Sequence, residues 1–97
     1  MPAYITLIRF TQKGVDTIKE GPSRLEAAKK SFEAAGGKMT SFYLTIGQYD
    51  AVAIVELPGD EALAKVALAL ASQGNVRTET LRAFKEDEYR KIIGSLP

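Results

Sequence analysis

Apolar and polar positions alternate along this chain in two distinct rhythms, which mark out its elements. Ala3 to Phe10 is almost unbroken in aromatic, β-branched or large apolar residues (Tyr4, Ile5, Thr6, Leu7, Ile8), between Pro2 and the polar Thr11-Gln12-Lys13-Gly14. That predicts a strand apolar on both faces. Val15 to Gly21 can form one short helical turn before Pro22 opens a long helix, where Ser23 and Glu26 have capping-box spacing. Leu25, Ala28, Phe32 and Ala35 then recur at three- and four-residue steps, one stripe facing a sheet, until Gly36-Gly37 ends the helix.

A second strand runs from about Lys38 to Ile46. Its alternation puts Thr40, Phe42, Leu44 and Ile46 on one face, assigned to the helices, and Met39, Ser41, Tyr43 and Thr45 on the other. The third strand, Ala51 to Leu57, is apolar on both faces apart from Glu56, the pattern of a central strand. After Pro58-Gly59, Asp60 is placed to cap a second helix, roughly Glu61 to Gln73, with Leu63, Val66, Ala67 and Leu70 on its buried stripe. Val76 to Leu81 reads as a fourth, edge strand with Arg77 and Glu79 on one face. Lys85 to Ile93 reads as a short charged helix anchored by Phe84, Tyr89, Ile92 and Ile93, and the tail from Gly94 to Pro97 is expected to fray. The order is a doubled strand–helix–strand unit. The right-handed crossover rule folds it into a four-stranded antiparallel sheet with both long helices on one side, an α+β architecture.

Two helices cover only one face of such a sheet. The other must carry either Tyr4, Ile8 and Phe10 or Ile5 and Leu7, together with either Val52 and Ile54 or Ala51, Ala53 and Val55. Each large apolar side chain left in water forgoes about 1.5–3 kcal/mol. A domain whose net stability is about 5–15 kcal/mol is therefore expected to press that face against a second copy of itself, unless the short C-terminal helix shields it.

Composition narrows the chemistry. The 97 residues, expected to form one domain, contain neither cysteine nor histidine. Disulfides, thiolate nucleophiles, Ser–His pairs, and zinc or haem held by those side chains are thereby excluded within the chain. No metal or other cofactor is expected. Thirteen basic and twelve acidic residues, dispersed along the chain, give a net charge of +1. No basic stripe invites nucleic acid, and no run is long enough to span a membrane, so a cytoplasmic protein is expected.

Four groups of residues could carry chemistry. Tyr49 and Asp50, in the turn Gly47-Gln48-Tyr49-Asp50, either form the turn, with Asp50 capping backbone N–H groups, or project into a cleft between subunits. Arg77, Glu79 and Arg82 form a second group, in which Arg77 and Glu79 either pair, with each other or across an interface, or Arg77 grips a carboxylate or phosphate. Tyr4, Thr6, Tyr43 and Thr45 put polar tips on apolar strands and could line a pocket on the sheet face or merely fill an interface. Glu56 ends an apolar strand, where it either pairs with a cation or has a raised pKa suited to a general base. Gly36-Gly37 lacks the spacing of a nucleotide-binding loop.

The turn Gly47-Gln48-Tyr49-Asp50, the strand AVAIVE after it, and Gly74-Asn75-Val76-Arg77-Thr78-Glu79-Thr80-Leu81-Arg82-Ala83-Phe84 closely resemble the GYD domain family, with Gln48 set between the family's Gly and Tyr. The likeness extends over nearly the whole chain. It implies a ferredoxin-like fold of the βαββαβ kind, related to dimeric α/β barrels, in a prokaryotic protein, and implies no established activity. A G-x-Y-D turn leading into an apolar strand and a helix is also similar to the effector-binding domain of Lrp/AsnC regulators. Those domains assemble and bind small molecules between subunits, although these 97 residues contain no helix-turn-helix. The expectation is a homo-oligomer that binds a small molecule between subunits. The alternatives are a cofactor-independent oxygenase or isomerase using Tyr43, Tyr49, Asp50 or Glu56 for proton transfer, or a purely structural assembly module.

Overall fold

The first strand, β1 (Ala3–Phe10), pairs antiparallel along both edges: with β3 (Ala51–Glu56) on one side and β4 (Val76–Ala83) on the other. The sheet is completed by β2 (Lys38–Leu44) outside β3, giving the order β2-β3-β1-β4. The computed structural model describes residues 1–97. Between β1 and β2 the chain forms a short helix α1 (Gln12–Asp16), a 3-10 turn at Ile18–Glu20 and the long α2 (Gly21–Ala34). Helix α3 (Asp60–Ser72) crosses from β3 to β4, and α4 (Glu86–Gly94) follows β4. This is the ferredoxin-like arrangement, with the two apolar strands central.

Register settles which residues meet the helices. Tyr4 lies opposite Val55 and Thr6 opposite Ala53. These residues, with Phe32 of α2, Leu57 and Val66 of α3, are buried and form the core or border it. The open face therefore carries the alternate positions: Ile5, Leu7 and Arg9 on β1, Val52, Ile54 and Glu56 on β3, and Arg77, Glu79 and Leu81 on β4. All four of Ile5, Leu7, Val52 and Ile54 are only half-buried. Just 10 of the 97 residues are buried, so a single copy leaves much of its apolar content wet.

Three local expectations are corrected. In β2, Met39 pairs with Val55 but Ser41 with Ile54, so Thr40 is an extra residue in a bulge, its hydroxyl donating to the Ile54 carbonyl at 3.1 Å. One inserted residue reverses the alternation. Met39 and Phe42 thus both pack on the core while Thr40 is exposed, and the strand stops at Leu44, leaving Ile46 fully exposed. The capping box of Ser23 and Glu26 does not form, because α2 starts at Gly21 and Ser23 lies inside its first turn, donating instead to the Glu20 carbonyl at 2.9 Å. Asp60 does not cap α3 either, since its carboxylate accepts the Tyr4 hydroxyl at 2.5 Å. Gly37, after α2, sits where any side chain would overlap the Glu56 carbonyl oxygen.

Helix α4 stands apart, for none of its residues is buried. A chain of this length packed at ordinary density has a radius of gyration of about 12.5 Å. The observed value is 14.6 Å, and the molecule measures 52 × 30 × 18 Å. Eight-residue strands span only about 26 Å, so the molecule extends well beyond its sheet.

Candidate functional site

At the end of the open face where β1 finishes and β4 begins, four polar side chains converge. The turn after β2 returns the chain so that Asp50 meets β1: its backbone N–H donates to the Ile8 carbonyl at 2.8 Å, and its carboxylate accepts the Phe10 N–H at 2.8 Å. Thr45 braces the turn through its N–H to the Asp50 carbonyl (2.9 Å) and its hydroxyl to the Tyr49 carbonyl (2.6 Å). Asp50 thus prolongs the β1–β3 ladder with a side chain, as its turn-forming reading requires. So braced, Tyr49 reaches across β1, and its hydroxyl donates to Glu79 Oε2 on β4 at 3.1 Å.

Arg9 lies within this span. Its guanidinium covers the Tyr49 ring at 4.7 Å, its Nε donates to the Gln48 carbonyl at 3.2 Å, and its Nη1 is 4.0 Å from Glu79 Oε1. Register sets Arg77 directly beside Arg9. Arg77 forms no ion pair within the chain. The hydrogen bond to Glu79 holds the Tyr49 phenol above its ordinary pKa, helped by desolvation and the Glu79 charge and opposed by Arg9. The phenol is therefore a neutral donor at pH 7. The corner offers one free guanidinium, a carboxylate shared between two partners, and a hydroxyl.

The other candidate residues lie elsewhere. Tyr4 and Thr6 point under the helices, not onto the open face. Tyr4 is buried against the core, and burial first, then its bond to Asp60, raises its pKa, with Arg82 opposing. Thr6 lies 3.4 Å from the Thr80 hydroxyl. The sequence alternation allowed either face of β1, and the bulkier aromatic went inside because its hydroxyl finds Asp60. Tyr43 is on the open face at 62% exposure, on the outer strand. Glu56, at the far end of β3, is paired with Lys85 Nζ at 3.3 Å. Asp50 and Glu56 sit at opposite ends of a six-residue strand, about 20 Å apart, so Glu56 does not join Tyr49 and Asp50 in one site within a single chain. Glu79 does form an ion pair, but with Arg9 and not Arg77.

Arg9 escaped sequence reasoning. Its signal was parity with Ile5 and Leu7, a cation ending the open-face row of β1, but its partners come from turns and strands 39 to 70 residues away. No group of three or more carboxylates is placed to hold a metal ion. Two of the surface depressions lie on the helical side and outer rim. One, about 450 Å³, lies between Ala35, Pro58 and Lys65; the other, about 580 Å³, lies along β4 from Thr11 to Leu68 and Arg77. No helix is long and apolar enough to cross a membrane.

Comparison with known proteins agrees with this architecture. The chain is 34% identical over 85 residues, 87% of its length and 90% of the relative's, to a Thermus thermophilus protein named glutamine synthetase and cystathionine beta-lyase binding protein. A crystal structure of a protein from Thermus thermophilus is 30% identical and superimposes with a TM-score of 0.56 over 88% of this chain and 95% of that one. The feast or famine regulatory protein of M. tuberculosis, solved with L-methionine, shares the fold at 21% identity and a TM-score of 0.63; the match covers 90% of this chain but 54% of the regulator. A model of the GYD domain matches residues 4–93, so the chain belongs to the GYD domain family.

Proposed function

We propose that this protein is a non-catalytic binding module of the cytoplasm. It pairs with itself through the open sheet face and holds a small polar molecule at the Arg9–Tyr49–Glu79–Arg77 corner, where two copies meet. The observation that carries the reading is the direct continuity of a half-exposed apolar patch (Ile5, Leu7, Val52, Ile54) with a corner containing an unpaired guanidinium. Burying the patch between copies removes water from the corner, and hydrogen bonds to charged groups strengthen as the surroundings become less polar. Arg77 presents a planar fork suited to a carboxylate, and Glu79 an acceptor for an ammonium group. A small zwitterion such as an amino acid satisfies both.

Light scattering on the full chain at micromolar concentration tests the assembly, with a mass of two or more protomers expected. Calorimetry with a panel of L-amino acids tests the corner, where Arg77→Ala should weaken any binding at least about tenfold, the worth of one charge-assisted contact. A monomer at all concentrations would sink the reading. A second reading, a docking module for another protein, is favoured by the relative that is named for binding two enzymes. It predicts that pulldown with purified glutamine synthetase succeeds and that Arg77→Ala leaves amino-acid panels unchanged. A purely structural assembly would bind neither.

A further inference from the structure

We propose that α4 is an exchanged arm, laying its apolar stripe across the open face of a second copy while that copy's α4 covers the first. The proposal rests on the self-association through the open face argued above and names the partner's α4 as the element that covers that face. Tyr89, Ile92 and Ile93 follow one another at steps of three and one residues on one side of α4, and Leu96 comes just past its end. They are 43% to 61% exposed. Isolated helices shorter than about 12–15 residues are marginal in water, so the nine residues of α4 require a surface. Their own sheet does not supply it. Only Phe84 and Lys85 connect β4 to α4, and both are tied down: Arg82 stacks on the Phe84 ring at 4.5 Å, and Lys85 pairs with Glu56. The short connection starts α4 at the end of the sheet where Glu56 lies.

The chain thus has two unmatched apolar surfaces, a strip on α4 and a flat patch on the sheet. Their charges are complementary. The first turn of α4 contains Glu86, Asp87 and Glu88, and Asp87 has no ion pair; the open face ends in Arg9 and in Arg77, which also has none. Two different surfaces on one chain, each fitting the other, suit a closed two-fold pair in which the same contact is made twice. In that pair the acidic turn borders the partner's polar corner.

The test uses the full chain. Ile92→Asp/Ile93→Asp changes only exposed positions, so far-UV circular dichroism should stay that of the folded α/β domain. Its dissociation constant by sedimentation should rise at least about a hundredfold, as expected when two apolar side chains are withdrawn from each of two equivalent arms. The chain has no cysteine, so protein with Ile92→Cys can be mixed with differently tagged protein with Ile54→Cys and treated with a short bismaleimide. A covalent heterodimer should form well above the yield with Lys65→Cys, which lies on the helical side. A wild-type monomer would overturn both the pairing and the arm, whether α4 then binds lipid vesicles, another protein or nothing. A wild-type pair that is equally tight with Ile92→Asp/Ile93→Asp, or that shows no excess Ile54–Ile92 coupling, would overturn the arm alone.

Discussion

Replacing Asp50 distinguishes its structural role from a ligand role. In the structure its carboxylate accepts the half-buried Phe10 N–H at 2.8 Å, at the point where β1 runs past the end of β3. Asp50→Ala leaves that N–H without a partner and removes a charge-assisted bond, a loss of about 1.5–3 kcal/mol. Phe10 is partly open to water, which favours the lower half of that range, about 2 kcal/mol. For a domain of this size, that lowers the melting temperature by about 8–16 °C. Asp50→Asn keeps an oxygen acceptor without the charge and should recover at least half. Urea unfolding followed by circular dichroism, with all variants at one protomer concentration because association adds apparent stability, measures both. Asp50→Ala within about 0.5 kcal/mol of wild type would refute the reasoning, placing water on the Phe10 N–H and leaving Asp50 free for a ligand.

Three further outcomes follow from the same geometry. Tyr4→Phe should lose about 1 kcal/mol, the net worth of one hydrogen bond whose acceptor, Asp60, is left solvated. Because the folded state raises the Tyr4 and Tyr49 pKa values above 10.0, both phenols keep their protons when the unfolded chain loses them; their contribution is complete below pH 10 and falls as pH climbs past it. Melting from pH 8 to 11 should show that decline, and Tyr4→Phe should flatten it. Glu79→Gln should bring one of the four tyrosines back toward its ordinary titration in an ultraviolet pH series, since the Glu79 hydrogen bond is the main cause of the Tyr49 shift. Gly37→Ala should destabilise by about 2 kcal/mol or more, because the added methyl group overlaps the Glu56 carbonyl and the backbone must move; thermal melts of the purified variant measure it.

Much of the fold was legible because the two rhythms of apolar residues were clean. The strands, both long helices and their order follow from periods of two and 3.6, and the doubly apolar β1 and β3 proved central. What alternation could not show was a single added residue: Thr40 reverses the parity of β2, so Met39 moved to the core and the helix-side role expected of Thr40 was lost. Nor could it place Asp60, whose partner Tyr4 is 56 residues earlier. The candidate corner was half legible. Tyr49, Asp50 and Glu79 were visible as polar residues beside apolar strands, but the bond between Tyr49 and Glu79 depends on β1 lying between their strands. Arg9 was hidden for the same reason, because its meaning depends on neighbours brought in by tertiary pairing.

The bulge at Thr40 also limits how copies can add to one another. The outer rims of a four-stranded sheet hold unpaired backbone groups able to recruit strands from other molecules into endless ribbons. At the β2 rim the extra residue breaks the regular spacing of the strand, while its hydroxyl satisfies the Ile54 carbonyl on the inner side. A neighbour approaching sideways meets a crooked template there. Growth by lateral strand addition is discouraged on that side, which favours finite particles over fibres.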